Sequence, residues 1–164
     1  MYKIVIFGNS GSGKSTLSKQ LKVKYNIEHL DLDTLAWKDT TPPQREILDR
    51  SMKKINDFMM LNDNWIIEGG YADLLEKVVK NANEIIFLNL NESNCIDNCK
   101  KRPWESHKYV SKEAQDENLE MLLNWVKDYY VRDDSFSYLA HKKLFNDFLA
   151  KKSEYKNNIH YETL

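Results

Sequence analysis

Residues 8–15 read GNSGSGKS and match the pattern G-x-x-x-x-G-K-[ST] at every fixed position. A chance match in a chain of this length has a probability of about 1%, so coincidence is a poor explanation. Gly11 and Gly13 lack the side chains that would keep a ligand away from the main chain, so backbone N–H groups there can wrap a polyphosphate. We therefore predict that this segment, called the phosphate loop below, binds a nucleotide.

Lys14 and Ser15 have separate predicted roles in this loop. Lys14 brings a positive charge to the β- and γ-phosphates, and we expect it to act in catalysis. Ser15 offers a hydroxyl oxygen, the kind of hard ligand that Mg²⁺ prefers. A helix beginning near Lys14 directs the positive end of its dipole at the same phosphates. The ligands expected are ATP and Mg²⁺, and the predicted nucleotide-binding residues are Gly8, Ser10, Gly11, Ser12, Gly13, Lys14, Ser15 and Thr16.

Acidic residues follow two other predicted strands, at the sheet edge where open parallel sheets bind ligands. Asp31 and Asp33 follow the second strand, and Glu68 ends the third. Carboxylates that face phosphates need either Mg²⁺ between them or a role as a base. We expect Asp33 to orient or deprotonate an acceptor hydroxyl, and Glu68 to join Ser15 at the metal by holding a metal-bound water. The alternative is that Asp31 or Asp33 caps a turn and that Glu68 pairs with a lysine.

Two arginines far along the chain are candidates for the transferring phosphoryl group. Arg102 stands at the start of a predicted loop and Arg132 follows a predicted helix. An arginine brought in by a closing loop stabilises the charge on a phosphoryl group and excludes water. We predict that both are catalytic, with ordinary surface arginines as the alternative.

Residues beyond the third strand and several aromatic or histidine side chains are candidate acceptor contacts. Gly70 and Tyr71 follow Glu68 directly and are the predicted substrate-binding residues, together with Asp33. The further candidates are Trp37, Trp104, His107 and His141, for which packing is the alternative.

Short apolar runs alternate with longer amphipathic segments, which is typical of the α/β class. Strands are predicted at residues 3–7, 27–31, 65–68 and 84–90. Helices are predicted after residue 13, from Pro42-Pro43 through Met59, at residues 74–79 and 92–101, and over the apolar positions 119–130 and 136–148. Residues 102–111 show neither period and predict a loop. Residues 158–161 are a last short strand or a frayed end, and the lysines at 142, 143, 151, 152 and 156 are predicted on a solvated helix face.

Composition restricts the class of protein. The 164 residues are 41% hydrophobic with a formal charge of −1, which suits one compact domain and offers no overall basic field for nucleic acid. No apolar run approaches the roughly 18 residues that cross a bilayer, so we expect no membrane span and a cytoplasmic location. Cys95 and Cys99 stand four apart, so they are predicted as reduced, half-buried thiols on one helix face. A monomer or a homodimer is expected.

These features together resemble the adenylate-kinase-like group of P-loop small-molecule kinases, which includes shikimate and gluconate kinases. Within that group the chain looks most like the bacterial DNA topology modulation protein family. The resemblance rests on the segments GNSGSGKSTLSKQL at 8–21, HLDLDTLAWK at 29–38, WIIEGGY at 65–71, EIIFLNL at 84–90 and KKRPW at 100–104.

The resemblance implies a single P-loop NTPase domain over residues 1–164, of the nucleoside and shikimate kinase type. Its expected architecture has three layers, a five-stranded parallel sheet with helices on both faces. It also implies a substrate-binding helical region at about 34–62 and a short lid at about 102–111, called the lid segment below. Asp33 matches the second Asp of the Asp-x-Asp that shikimate kinases use at the acceptor hydroxyl. Gly70-Tyr71-Ala72 stand where adenylate kinases have the Phe-Pro-Arg that binds AMP, which argues against AMP as the acceptor.

The function predicted from these features is an ATP-dependent kinase acting on a nucleotide, a nucleoside or a hydroxylated metabolite. The alternative is a regulatory nucleotide-binding switch that hydrolyses ATP slowly and acts through a partner. A nucleic-acid-associated ATPase is disfavoured by the balanced charge.

Overall fold

A computed structural model describes residues 1–106 and 108–163. Its centre is a five-stranded sheet in the order β2-β3-β1-β4-β5, with every neighbouring pair parallel. The strands are β1 (Lys3–Gly8), β2 (Glu28–Asp31), β3 (Trp65–Gly69), β4 (Glu84–Leu88) and β5 (Lys151–Tyr155). The three central strands are almost continuously apolar because helices cover both faces of the sheet.

Seven helices form the two outer layers among the described residues. They are α1 (Lys14–Tyr25), α2 (Leu48–Leu61), α3 (Ala72–Val78), α4 (Glu92–Lys100), α5 (Lys112–Glu117), α6 (Leu119–Lys127) and α7 (Tyr138–Asp147). Val5 and Phe7 of β1 point to a core shared with α2, α3 and α7. Ile4 and Ile6 point to the opposite core, shared with α1, α4 and α6. The predicted three-layer α/β architecture is confirmed.

The helix expected to begin at Pro42-Pro43 begins only at Leu48. Each proline disfavours helical backbone in the residue before it, so Thr41 and Pro42 stay outside the helix, in a bend. The chain here instead folds back, with Lys38 N donating to Gln44 O and Glu46 N donating to Ala36 O. The predicted start of this helix was therefore wrong.

The fifth strand lies earlier in the chain than residues 158–161, for which a last strand was one of two alternatives. It runs over Lys151–Tyr155 and pairs with β4, whereas residues 158–160 have no regular structure. Lys151 and Lys152 therefore lie on an edge strand and Lys156 in a bend after it, so only Lys142 and Lys143 of the five lysines lie on a helix, α7. Lys151 Nζ lies 2.9 Å from Glu84 Oε1. The sequence KKSEY is too polar to show a strand period, and exposed lysines are common on sheet edges.

Two burial predictions need correction. The apolar helix face predicted over 119–130 ends at Tyr130, but Tyr129 is buried and Tyr130 is exposed, because the chain tightens into a 3₁₀ turn after α6 and changes which side chain faces inward. Cys95 and Cys99 are free thiols, as predicted, but they are fully buried and not half-buried. No helix within residues 1–106 and 108–163 is long and apolar enough to cross a membrane.

Candidate active site

The phosphate loop joins the end of β1 to the start of α1 and closes tightly on α4. Gly11 and Gly13 have φ angles of 76° and 90°, in the left-handed region where glycine is favoured. A Cβ at Gly11 would overlap the carbonyl oxygen of Cys95 and lie 2.7 Å from Cys99 Sγ. Glycine at position 11 is therefore required both by backbone conformation and by the helix beneath it.

Two asparagines hold this loop, and neither was a candidate from the sequence. Asn9 Oδ1 accepts a 2.8 Å hydrogen bond from Ser10 N, while Asn9 Nδ2 donates to Val126 O. Asn98 of α4 donates to Gly11 O at 2.8 Å. Lys14 Nζ lies 2.9 Å from Asn9 O, folded over the loop. Asn9 stands at a variable position of the loop pattern and Asn98 in no motif, so no sequence signal marked them.

A cavity of about 820 Å³ opens above the loop at the carboxyl edge of the sheet, within the usual size range of small-molecule sites. It is lined by every predicted nucleotide-binding residue. Asp33, Glu68, Gly70, Tyr71 and Arg102 line the same cavity. The structure therefore brings together predicted site residues from four separate parts of the chain.

Asp33 lies at the centre of a hydrogen-bond chain on the wall of this cavity. Tyr71 Oη donates to Asp33 Oδ1 at 2.6 Å, and Trp37 Nε1 donates to Tyr71 Oη at 2.7 Å. Lys108 Nζ donates to Asp33 Oδ2 at 2.7 Å. Burial by itself would raise the pKa of Asp33, but the charge and hydrogen bond of Lys108, the hydrogen bond of Tyr71 and the charge of Lys14 outweigh it and lower the pKa.

Asp31 caps the turn that carries Asp33, as one alternative predicted. Its Oδ1 accepts a 2.9 Å hydrogen bond from Asp33 N. Its Oδ2 lies 3.4 Å from Lys108 Nζ. Burial raises the pKa of Asp31, and the negative charges of Glu68 and Asp33 raise it further.

Glu68 is almost completely buried, and its side chain lies on the same face of the sheet as the phosphate loop. Among the described residues, its Oε1 has no hydrogen-bond partner, and His29 Nε2 lies 3.5 Å from it. The alternative prediction paired Glu68 with a lysine, and no lysine forms an ion pair with it within the described part of the chain. A buried carboxylate oxygen without a donor suits a cation ligand.

The two arginines occupy different positions. Arg102 lines the cavity, with its Nη1 atom 3.0 Å from Glu105 Oε2. Arg132 stacks on Trp125, with Cζ 3.4 Å from the ring centroid and Nε 3.3 Å from Asp134 Oδ2. Arg132 is not one of the described residues that line the cavity.

His141 connects the site to the core. Its Nε2 lies 2.8 Å from Gly70 O and its Nδ1 lies 2.8 Å from Tyr129 Oη. A carbonyl only accepts, so Nε2 carries the proton and Nδ1 of the neutral ring accepts from Tyr129. Burial lowers the pKa of His141 to about 4, which keeps the ring neutral at pH 7. These contacts fit the packing alternative for His141.

Both tryptophan candidates line the cavity. Trp37 contacts Tyr71, and Trp104, which is 48% exposed, donates from Nε1 to Tyr109 O. His107 lies outside the described residues. Lys108, which contacts Asp33, was missed by sequence reasoning, since a lysine in an aperiodic segment carries no signal.

A phosphate loop between β1 and α1 of a parallel 2-3-1-4-5 sheet defines a P-loop kinase-like fold. The chain belongs to the AAA domain family, whose sequence pattern matches residues 4–121. The bacterial DNA topology modulation family is not confirmed by this match, and that narrower resemblance stays a prediction.

Known proteins with similar folds or sequences agree with this assignment. A gluconokinase from Sinorhizobium meliloti 1021 superposes with a TM-score of 0.57 at 12% identity, over 99% of this chain and 86% of that chain. A sugar kinase from Janibacter sp. HTCC2649 gives 0.54 at 11% identity, over 99% and 89%. The uncharacterized protein YqaC of Bacillus subtilis (strain 168) is 25% identical over 128 residues, which are 77% of this chain and 71% of that protein. At these identities the structural likeness shows the fold.

Proposed function

We propose that the protein is an ATP-dependent kinase that transfers the γ-phosphoryl group to a small-molecule acceptor: a nucleotide, a nucleoside or a hydroxylated metabolite. The observation that carries this proposal is one cavity with the phosphate loop on one wall and the Asp33 hydrogen-bond chain on another. A phosphoryl donor and an acceptor can meet there without leaving the protein. The similar folds of a gluconokinase and a sugar kinase support the same reaction class.

Phosphoryl transfer depends mainly on positioning and electrostatic stabilisation. Backbone N–H groups of the phosphate loop and the Lys14 ammonium hold the transferring phosphates. Asp33 is ionised at neutral pH because its pKa is lowered, so it can accept a hydrogen bond from the acceptor hydroxyl. When that hydroxyl replaces Lys108, Asp33 loses a lowering influence and becomes a stronger base. Gly70 and Tyr71 shape the acceptor side of the site.

The residues present fit a Mg²⁺ ion. Ser15 would supply a hydroxyl oxygen, and Glu68 would supply the buried Oε1, either directly or through a metal-bound water. Bound Mg²⁺ would neutralise charge on the nucleotide phosphates. Without a cation there, Glu68 would repel those phosphates.

Arg102 and Arg132 are proposed to stabilise the charge of the transferring group. Arg102 already lines the cavity and would exchange Glu105 for a phosphate oxygen. Arg132 would have to leave its stack on Trp125 to reach the site. The lid segment and the helical region at 34–62, which supplies Trp37, are proposed to enclose the acceptor.

The switch alternative expects a nucleotide site without a second pocket. Here the cavity continues beyond the phosphate loop to Asp33, Trp37 and Tyr71, which favours the kinase. The test incubates the protein with Mg-ATP and a panel of nucleosides, nucleotides, sugars and hydroxy acids while ADP release is followed. We expect at least one compound to raise ADP release and to be phosphorylated. If none raises it above the slow background, the kinase proposal fails and the switch is favoured.

Lys14→Ala should weaken ATP binding or abolish turnover, because it removes the cation from the β- and γ-phosphates. ATP binding by calorimetry and ADP release in the panel assay measure the effect. Lys22→Ala is the matched control, since Lys22 lies on the same helix and pairs with Glu28 outside the cavity. Unchanged ATP turnover in Lys14→Ala would refute the phosphate-loop assignment.

A further inference from the structure

Both carboxylate oxygens of Asp33 are already occupied by protein donors. Tyr71 Oη holds Oδ1 and Lys108 Nζ holds Oδ2. Tyr71 is 4% exposed, receives a hydrogen bond from Trp37 and packs against Phe136, so it cannot leave without opening the core. Lys108 lies on the irregular segment between α4 and α5. An acceptor hydroxyl that uses Asp33 as its base must therefore compete with Lys108 for the carboxylate.

The surroundings of Lys108 allow this exchange. Its ammonium lies 2.7 Å from Asp33, 3.4 Å from Asp31 and 3.6 Å from Glu105, and 19% of its side chain is exposed. Glu105 belongs to the same segment, and Lys108 N and Tyr109 N both donate to Glu105 O in one turn. Lys108 can therefore leave Asp33 while it keeps Glu105 as an ionic partner. Burying the ammonium without a carboxylate would cost far more.

We propose that Lys108 occupies the hydroxyl position at Asp33 until the acceptor arrives and thereby keeps water from being phosphorylated. This inference rests on the proposed kinase function. With Lys108 in place, its ammonium, 2.7 Å from Oδ2, neutralises the Asp33 carboxylate, so a water beside it has no effective base with which to attack the γ-phosphate. Lys108 is thus a specificity-determining residue that discriminates between water and the acceptor.

The reaction that Lys108 prevents is ATP hydrolysis. The oxygen of water forms a bond to the γ-phosphorus, and the bond from that phosphorus to the bridging oxygen breaks, with its electron pair leaving on ADP. The proton of the water passes to Asp33, and the products are ADP and inorganic phosphate. Acceptor phosphorylation follows the same steps with the acceptor oxygen in the place of water.

The experiment measures ADP release without any acceptor in Lys108→Met, which keeps the aliphatic stem and removes the charge and the donors. We expect acceptor-independent ADP release to rise about tenfold or more. Losing one charge-assisted hydrogen bond raises the fraction of protein with an unpaired Asp33 by about that factor. KM for the acceptor should fall, because the acceptor no longer competes with an ammonium. Lys112→Met is the matched control, since Lys112 is exposed and pairs with Asp116 on α5.

Two further variants separate this role from a structural one. Lys108→Arg keeps a cationic donor and should retain low hydrolysis. The double variant Lys108→Met with Asp33→Asn should lose the added hydrolysis, because no carboxylate remains to accept the proton of the attacking water. A general loosening of the segment would predict no such dependence on Asp33.

The failures of the two proposals are distinguishable. If wild-type protein phosphorylates an acceptor but Lys108→Met hydrolyses ATP no faster than wild type, the inference on Lys108 is refuted and the kinase stands. If neither protein exceeds the Lys14→Ala background with any compound, both proposals fail.

Discussion

At the scale of single residues, the site depends on how each carboxylate is surrounded. Asp33 has two donors and a lowered pKa, whereas Asp31, two residues away, has a raised pKa because burial and two neighbouring carboxylates disfavour its charge. Glu68 is buried with one oxygen lacking a donor within the described residues. Three acidic side chains at one sheet edge are therefore suited to three different tasks.

Asp33→Asn should spare ATP binding and lower acceptor-dependent turnover by about 10²- to 10⁴-fold, the usual contribution of a positioned acid–base group. An amide cannot take the acceptor proton and does not form an ion pair with Lys108. ATP affinity by calorimetry and kcat with the acceptor separate the two steps. Asp57→Asn, on the exposed surface of α2, is the control. An equal loss of ATP binding and turnover would instead place Asp33 at the metal.

Sequence patterns were informative for some of these residues and silent for others. Lys14 and Asp33 stand in short segments whose order and spacing predict their places. Lys108 is 75 residues from Asp33 along the chain, in a segment with no period, so only folding shows that they meet.

At the scale of elements, the phosphate loop depends on helix α4 beneath it. Asn98 donates to Gly11 O. The backbone carbonyl of Cys95 and the thiol of Cys99 fill the space next to Gly11. The four-residue spacing of the cysteines predicted one helix face, and the structure shows that this face supports the loop. Their raised pKa, caused first by burial, keeps both thiols protonated at neutral pH.

Gly11→Ala should destabilise the protein by more than Gly13→Ala. Both positions have left-handed backbone, which costs an alanine about 1–2 kcal/mol. Only Gly11 adds an overlap with the Cys95 carbonyl, since a Cβ at Gly13 meets no heavy atom of the described residues within 4 Å. Denaturant unfolding gives both free energies. Equal losses would show that α4 does not restrict the loop.

At the scale of the whole molecule, His141 joins the two outer layers at the carboxyl edge of the sheet. It lies on α7, which packs on one face, and it bonds to Gly70 after β3 and to Tyr129 after α6, which packs on the other. The bond from Tyr129 requires the neutral ring, because a protonated Nδ1 cannot accept it, whereas Nε2–H donates to Gly70 O in either protonation state. The stability of the layered fold is therefore coupled to the protonation of one buried histidine.

The folded pKa of His141, about 4, is below the ordinary value of 6.5, so the unfolded chain binds this proton first as pH falls. The neutral ring's contribution to the free energy of unfolding is therefore fully present above pH 6.5. It is lost progressively as the pH falls toward 4, by about 3 kcal/mol in total. His141→Gln should be less stable at pH 7 and should lose stability less steeply between pH 6.5 and 4. Denaturant unfolding of both proteins across this range measures the slopes. Parallel slopes would contradict the prediction.

The sequence alone determined the α/β class, the phosphate loop, the first four strands and the acidic positions at the ends of two of them, because these depend on local pattern and on which residues a strand buries. The tertiary structure decided where the fifth strand runs, which of two adjacent tyrosines is buried, and that Lys108, Asn98 and His141 reach their partners. Backbone pairing of a polar edge strand and contacts between distant side chains leave no periodic signal in the chain. They arise only when the parallel strands bring their carboxyl ends to one edge.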